Sequence, residues 1–386
     1  MKGASKKPKL EETKNMNTAA MEREIYVNTG GGYKVTVGAG LIDRCGELLR
    51  PVLTGDTVML ITDTSVAPLY LKRATSSLTN AGFRVVPYVI PAGETSKNMA
   101  VITSLLELFA NSGLTRSDAV VSLGGGVVGD TAGFAAGVYM RGVAFVQIPT
   151  TLLASVDASV GGKTGVDLSA GKNLAGVFHQ PKAVLCDVLC LDTLPSEVFA
   201  DGVAEVIKTG ILSGEELFSH CESRIDKSDN IISIIEKCVI YKAKIVEEDE
   251  RDSGRRKLLN LGHTVGHAIE RLSGYTTSHG YAVARGIAVI SRAAAALGQL
   301  GATELDRIIS ALEANSLPTT TEYTATELAA AATSDKKRKG GTLTLVMPRG
   351  IGDCVLIDYP VDELEGIFSL GLGGESTSAG TSTGAL

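Results

Sequence analysis

Residues 119–139 read AVVSLGGGVVGDTAGFAAGVY. Ala119–Leu123 is a short strand-type run that leads directly into Gly124-Gly125-Gly126-Val127-Val128-Gly129-Asp130, followed by a helix-type segment, Thr131 to Tyr139. Glycines at 124, 126 and 129 fit G-x-G-x-x-G in the strand–turn–helix setting that phosphate binding requires. Without side chains, backbone N–H groups approach a pyrophosphate closely, and the helix N-terminus favours its charge. The plain alternative is a tight βα turn, and the acid expected roughly 20 positions downstream is absent. Two other acids are candidates for holding a ribose: Asp63, after TVMLIT, and Glu94 in Ala92-Gly93-Glu94-Thr95-Ser96-Lys97.

Outward from this stretch, Tyr33–Val37, Thr57–Thr62, Arg84–Ile90 and Ala144–Ile148 are also strand-like, and a last strand around Ala183–Val188 closes the set. Between them, Ala67–Ala81 and Lys97–Ser112 repeat apolar residues at three- and four-residue spacing. Strand–helix alternation with apolar strands predicts a parallel sheet covered on both faces. After Leu194-Pro195 the pattern turns helical, over Glu197–Leu212, Asn230–Glu248, Leu258–Leu272, Ala282–Gly298 and Ala302–Asn315; only Thr342–Val346 and Gly352–Ile357 look extended. The expected architecture is an α/β N-terminal nucleotide-binding domain with a parallel sheet over 23–190, then a mainly α-helical domain over 191–370. Residues 1–22 and the Gly/Ser/Thr-rich 371–386 are expected to be disordered extensions. A cleft between two such domains is the default place for a ligand.

Composition narrows the function. The 386 residues suffice for two or three cores, and 44% hydrophobic with 21% charged residues excludes wholesale disorder. A net charge of −6, from 37 basic against 43 acidic residues, argues against a nucleic-acid surface but not against a cationic pocket for a small anion. The apolar stretch Ala282–Leu300 is interrupted by Arg285 and Arg292, and the N-terminus lacks an apolar signal region, so no membrane partner is expected. Cysteines at 45, 186, 190, 221, 238 and 354 form no C-x-x-C pair and read as reduced thiols, which suggests the cytoplasm.

Three clusters carry chemistry. Tyr139–Asn173 places Arg141, Asp157, Lys163 and Lys172 among glycine pairs and Thr150-Thr151, setting ammonium groups beside exposed backbone donors as a phosphate or carboxylate needs. His263, His267 and His279 fall within 17 positions, the first two at i,i+4 on one helix face, with Gly262 and Gly266 allowing a neighbouring backbone close. Two imidazoles and a carboxylate suit Zn²⁺ or a similar ion, but spacing alone does not say which two bind. The carboxylate could come from Glu205 in Ala204-Glu205-Val206-Ile207-Lys208, where a metal or a salt bridge to Lys208 would each relieve its burial and the sequence does not choose.

The ordered series GGGVVGD, YMRG, PTTLLASVDASVGGKTGV, GKN, AEVIK, LLNLGHTVGHAIE and HG, spread over Tyr26–Ile357, resembles the 3-dehydroquinate synthases of the sugar-phosphate cyclase family. The resemblance implies a homodimeric carbon–oxygen lyase of the shikimate route to chorismate and the aromatic amino acids. Its substrate would be the small sugar-acid phosphate 3-deoxy-D-arabino-heptulosonate 7-phosphate and its products 3-dehydroquinate and phosphate. Its cofactors would be NAD, transiently reduced, and one divalent metal per subunit, zinc or cobalt. By motif, the metal ligands would be Glu205, His263 and His279, leaving His267 to touch substrate or handle protons. Asp157, Lys163, Lys172, Asn173, Lys208, Lys242, Arg256 and Asn260 match active-site positions, Arg141 would cross the dimer interface, and Lys336 or Lys337 would add a cation. The residues assigned to NAD are Asp63, Gly93, Glu94, Lys97, Gly124, Gly125, Gly126, Val127, Gly129, Asp130, Thr150, Thr151, Lys163, Lys172 and Thr193. One departure stands out: the family's His-Gly-Glu-Ala-Val is here His279-Gly280-Tyr281-Ala282-Val283, removing a partner that could orient His279. The competing expectations are a sister cyclase with another sugar phosphate, a metal-dependent polyol dehydrogenase, and a non-catalytic ligand sensor.

Overall fold

Consecutive aliphatic residues in Thr57–Asp63, Ala119–Gly124 and Ala144–Pro149 make strands that are apolar on both faces and must be covered on both. The computed structural model describes residues 22–227, 230–333 and 341–373. Its strands are β1 (Arg23–Val27), β2 (Tyr33–Gly38), β3 (Thr57–Asp63), β4 (Arg84–Ile90), β5 (Ala119–Gly124), β6 (Ala144–Pro149), β7 (Lys163–Leu168), β8 (Gly171–Phe178), β9 (Ala183–Asp187), β10 (Thr342–Gly350) and β11 (Asp353–Pro360). By its contacts the chain divides into two units, one running to Pro195 and including Lys227–Arg251, the other formed by Ser196–Asp226 and the chain from Asp252 onward.

The first unit holds a seven-stranded sheet in the order β1-β2-β9-β6-β5-β3-β4. It is parallel apart from the β1–β2 pair. β9 takes an interior place between β2 and β6. Alternate residues feed two cores: Val58, Leu60, Val121 and Leu123 pack with Leu41, Leu49 and Leu78, whereas Met59, Ile61 and Val120 pack with Leu105, Phe109 and Val128. Each such fully buried side chain contributes about 1.5–3 kcal/mol. The Met99–Asn111 helix is started by Asn98, whose side chain accepts from the Ala100 and Val101 amides at 2.9 and 3.0 Å.

Three expectations are corrected. The boundary near 190 assigned everything beyond it to one helical domain, but the Ile231–Glu248 helix belongs to the first unit. Its buried Ile, Val and Cys residues pack on β1, β2 and the Ala154–Ala158 turn. Periodicity shows that a helix has an apolar face, not which core receives it. The helix expected over Leu258–Leu272 starts only at His263, because Gly262 is left-handed (φ 77°) and separates it from a 3₁₀ turn, Arg255–Asn260. Finally, the glycine-rich 139–173 stretch, where only Ala144–Ile148 is expected as a strand, contains β7 and the start of β8 besides β6, and β7 and β8 pair as an antiparallel hairpin.

The second unit contains helices Ser196–Ser213, Glu215–Cys221, His263–Leu272, His279–Ala296, Ala302–Ala314, Ala325–Thr333 and Leu364–Gly371, with β10 and β11 as an antiparallel hairpin. Among the described residues no helix is long and apolar enough to cross a membrane.

Candidate active site

In the second unit, the Ser196–Ser213 helix is buried continuously from Gly202 to Leu212, and Glu205 sits in that buried run at 0% exposure. A lone carboxylate there would be driven to protonate. Burial does push Glu205 upward, but the Lys208 ammonium, one turn along and in contact with Oε2, and the imidazoles of His263 and His279 hold it well below the usual carboxylate range. Its Oε1 lies 3.7 Å from His263 Nε2 and 3.5 Å from His279 Nε2. Neither Glu205 oxygen accepts a hydrogen bond of ordinary geometry. One atom from each of these three residues lies within 4.8 Å of the others. A carboxylate and two imidazoles converging on one point, two of them buried, fit a divalent ion of the zinc type, with coordination left over for a ligand.

The two imidazoles differ. Burial and the Lys208 charge push His263 down to about 3, and its Nδ1 stands 3.1 Å from the Leu261 carbonyl. Burial also acts against protonation of His279, but the carboxylates of Glu205 and Glu270 outweigh it and raise this ring to about 10.

Backbone packing brings the rings together. His279 is the first residue of its helix. Asp201, one turn before Glu205, accepts from Ser278 Oγ at 2.6 Å and from the Tyr281 amide at 3.3 Å. A Cβ on Gly280 would lie 2.3 Å from the Asp201 carbonyl oxygen, and one on Gly286 would lie 2.0 Å from that of Gly262. Glycine therefore lets the His279 helix touch both the Glu205 helix and the turn that launches His263. His267, 61% exposed at its side chain, stays outside the Glu205 group, with ring centroids 5.4 Å from His263 and 6.0 Å from His279. Arg256 is buried and Asn260 exposed on the 3₁₀ turn before Gly262. Sequence reading missed Asp201 and Glu270; Glu270, seven residues after His263 and three after His267, shares their helix face and was there to be found by spacing.

In the first unit, β5 ends at Gly124 and the Gly126–Val138 helix starts without a side-chain cap at Gly125, so its first N–H groups point outward as an anion site requires. Val127, Gly129 and Asp130 lie in the first turns of that helix. The Thr150 amide donates to the Gly124 carbonyl at 3.0 Å, and Thr151 lines Gly125, where a Cβ would meet its methyl at 3.1 Å. Asp63 ends β3, beside β5, and its Oδ1 accepts from the Ser65 and Val66 amides at 2.8 and 2.9 Å.

A second group gathers beside the helix start. Gly93, at φ 101°, leads into Glu94, which pairs with Lys172 at 3.3 Å, while Lys97 pairs with Asp130 at 2.5 Å. Burial acts against the Lys97 charge, but Asp130 outweighs it and raises the ammonium pKa. The Asp167 amide donates to the Lys97 carbonyl at 2.9 Å, and Asp167 Oδ1 accepts from the Asn173 amide at 2.8 Å. The β7–β8 hairpin is thus tied to the Glu94–Lys97 turn. Lys97→Met is expected to lower stability by about 2 kcal/mol, less than for a wholly buried pair because Asp130 is partly exposed. Adding Asp130→Asn should recover most of that loss in urea unfolding; a single variant with wild-type stability would show that the pair contributes nothing.

The Ala154–Ala158 turn presents Asp157, whose Oδ1 and carbonyl oxygen accept from Lys242 Nζ at 2.7 and 2.5 Å. Lys163 is exposed at the start of β7. Arg141 is exposed and, with Met140, left-handed (φ 68° and 49°), a costly backbone for two successive side-chain-bearing residues. Thr193 Oγ1 lies 2.7 Å from the Tyr70 hydroxyl and donates to the Cys190 carbonyl at 3.0 Å, so its partners are in the protein. Lys336 and Lys337 fall outside the described residues.

The family model of the 3-dehydroquinate synthase N-terminal region matches residues 87–201, and that of its C-terminal region residues 202–338. The 3-dehydroquinate synthase of Desulforamulus reducens is 44% identical over 337 residues, covering 85% of this chain and 94% of that protein. Among solved structures, 2-deoxy-scyllo-inosose synthase complexed with carbaglucose-6-phosphate, NAD⁺ and Co²⁺ superposes with a TM-score of 0.81 at 22% identity, over 92% of this chain and 100% of the other. The 2-epi-5-epi-valiolone synthase of Streptomyces hygroscopicus subsp. jinggangensis, with NAD⁺ and Zn²⁺ bound, gives 0.80 at 27%, over 88% of this chain and 97% of the other. The structural likeness is one of fold, while the sequence matches run through both the glycine turn and the histidine helices: the chain belongs to the 3-dehydroquinate synthase family.

Proposed function

We propose that this chain converts 3-deoxy-D-arabino-heptulosonate 7-phosphate to 3-dehydroquinate and phosphate, as a carbon–oxygen lyase of the shikimate route that uses NAD and one zinc or cobalt ion per subunit. The observation that carries the reading is the Glu205–His263–His279 group, two of its members buried, in a chain 44% identical to a 3-dehydroquinate synthase. NAD⁺ with Co²⁺ or Zn²⁺ in the two solved cyclases supports the cofactors.

Glu205, His263 and His279 would hold the ion, which when bound supplies Lewis acidity to substrate hydroxyls. The uncapped glycine turn would hold the pyrophosphate of NAD, which when bound would supply reversible hydride chemistry to a substrate carbinol. Lys163, Lys172, Lys208, Lys242, Arg256, Asn173 and Asn260 would grip the substrate's carboxylate, phosphate and hydroxyls, which accounts for a cationic site in an acidic protein. Asp157, fixed by Lys242, is oriented rather than mobile. His267, the exposed imidazole beside His263 and His279, would take or give a proton during ring opening.

The assembly is a homodimer in this reading, with Arg141 of a second copy reaching the site. Exposed Val138, Met140, Leu168, Leu174 and Phe178 supply apolar surface for that copy to cover. All six cysteines are unpaired, which supports a reducing compartment, the cytoplasm.

The deciding experiment follows phosphate release from the seven-carbon substrate with NAD far below substrate. Many turnovers per NAD, lost on chelation and restored by zinc or cobalt, are expected, and sedimentation of the same sample should give a dimer's mass. NADH accumulating in step with product would instead identify a dehydrogenase, and no phosphate release from folded, metal-loaded protein would overturn the reading.

A further inference from the structure

We infer that Glu270 is a positioning residue for the metal centre: it accepts from Nδ1 of His279, so that this ring's Nε2 is aimed at the point it shares with Glu205 and His263. The inference rests on reading that point as a metal site. An imidazole binds a metal through one nitrogen, and the hydrogen bond at its other nitrogen selects which and fixes the ring plane. His263 has such an anchor in its own chain, since the Leu261 carbonyl faces its Nδ1 at 3.1 Å. His279 starts its helix, and the side chain facing its Nδ1 comes from the other histidine helix: Glu270 Oε2, at 3.5 Å.

Glu270 is 3% exposed, so its charge is not maintained by solvent. The same oxygen lies 3.9 Å from His267 Nε2, so Glu270 stands between the ligand ring and the exposed imidazole next to it. Its helix carries His263, His267 and Glu270 at intervals of four and three residues, which sets all three along one face toward His279. The carboxylate also makes the ring it holds a more basic ligand. Tyr281, in the place of the glutamate expected from the resemblance, gives its backbone N–H to Asp201, and His279 has its anchor from Glu270 instead. Glu270 therefore does for His279 what Leu261 does for His263, and adds a charge.

The test is zinc affinity of the full chain, stripped and then titrated against a chromophoric chelator, together with the visible spectrum of the cobalt-loaded protein. Glu270→Ala is expected to weaken zinc binding about 10–100-fold. Glu270→Gln, which keeps an acceptor oxygen without the charge, should fall between it and wild type and shift the cobalt bands. His267→Asn should lower turnover while leaving zinc affinity within about threefold of wild type, because that ring lies outside the Glu205 group. If Glu270→Ala does not fold, the near-isosteric Gln variant decides the matter. Wild-type zinc affinity and an unchanged cobalt spectrum in a Glu270 variant, whatever its melting temperature, would reduce Glu270 to a packing role. Failure of the wild-type chain to bind zinc or cobalt would be a different result, and would remove the metal site itself.

Discussion

Glu205→Gln is expected to abolish zinc retention and turnover together. The substitution keeps the shape of the side chain and removes the one carboxylate of the Glu205–His263–His279 group, so only the two imidazoles remain to hold a dication beside the Lys208 ammonium. A bound metal contributes several kcal/mol of transition-state stabilisation, so turnover should fall by about a thousandfold or more. A second effect appears without added metal. Lys208 is as buried as Glu205 and would lose the charge it touches, costing about 3–5 kcal/mol of stability. Adding Lys208→Met should restore the melting temperature but not zinc binding, which separates the fold from the chemistry. Stoichiometric zinc and undiminished phosphate release in the single variant would show that Glu205 is not a ligand.

Gly286→Ala should damage the same proposed centre without replacing Glu205, His263 or His279. Its Cβ would stand 2.0 Å from the Gly262 carbonyl oxygen and 3.0 Å from the Gly266 amide nitrogen, distances that only separation of the two helices can relieve. Both obstacles are backbone, so the cost lies at or beyond the top of the usual range for overpacking, about 3 kcal/mol. Moving the helices apart also spreads His263 from His279, so zinc affinity should drop along with the melting temperature. Gly366 is the control: it lies in the Leu364–Gly371 helix with nothing within 4 Å of its Cβ position, and Gly366→Ala should stabilise by about 0.5–1 kcal/mol. A Gly286→Ala variant as stable and as metal-avid as wild type would mean that the close approach of the helices is dispensable.

Much of both candidate sites was legible before folding was considered. The run Ala119–Leu123 into three glycines announced a strand, a turn and a helix, and the structure has β5 and the Gly126–Val138 helix there. The residue types of the Glu205–His263–His279 group were also visible, as three close histidines and a glutamate on an apolar helix. The i,i+4 spacing of His263 and His267 identified a shared face, yet the pair that meets Glu205 is His263 and His279. The β7–β8 hairpin went unread because its glycine- and lysine-containing strands lack clear apolar alternation and lie outside the seven-stranded sheet.

Sequence by itself determined which faces of each element are apolar, where the chain turns, and which residue types are at hand for chemistry, because all of these follow from neighbours within a helical turn or a strand. Tertiary structure decided which faces meet. It sent the Ile231–Glu248 helix to the first unit's core and put Lys242 on Asp157. Through Gly262, Gly280, Gly286 and the Asp201 cap it set the distance between helices, and with it the choice of His279 over His267 and the pairing of His279 with Glu270. Those outcomes depend on backbones approaching one another across long stretches of chain, a property that no local period encodes.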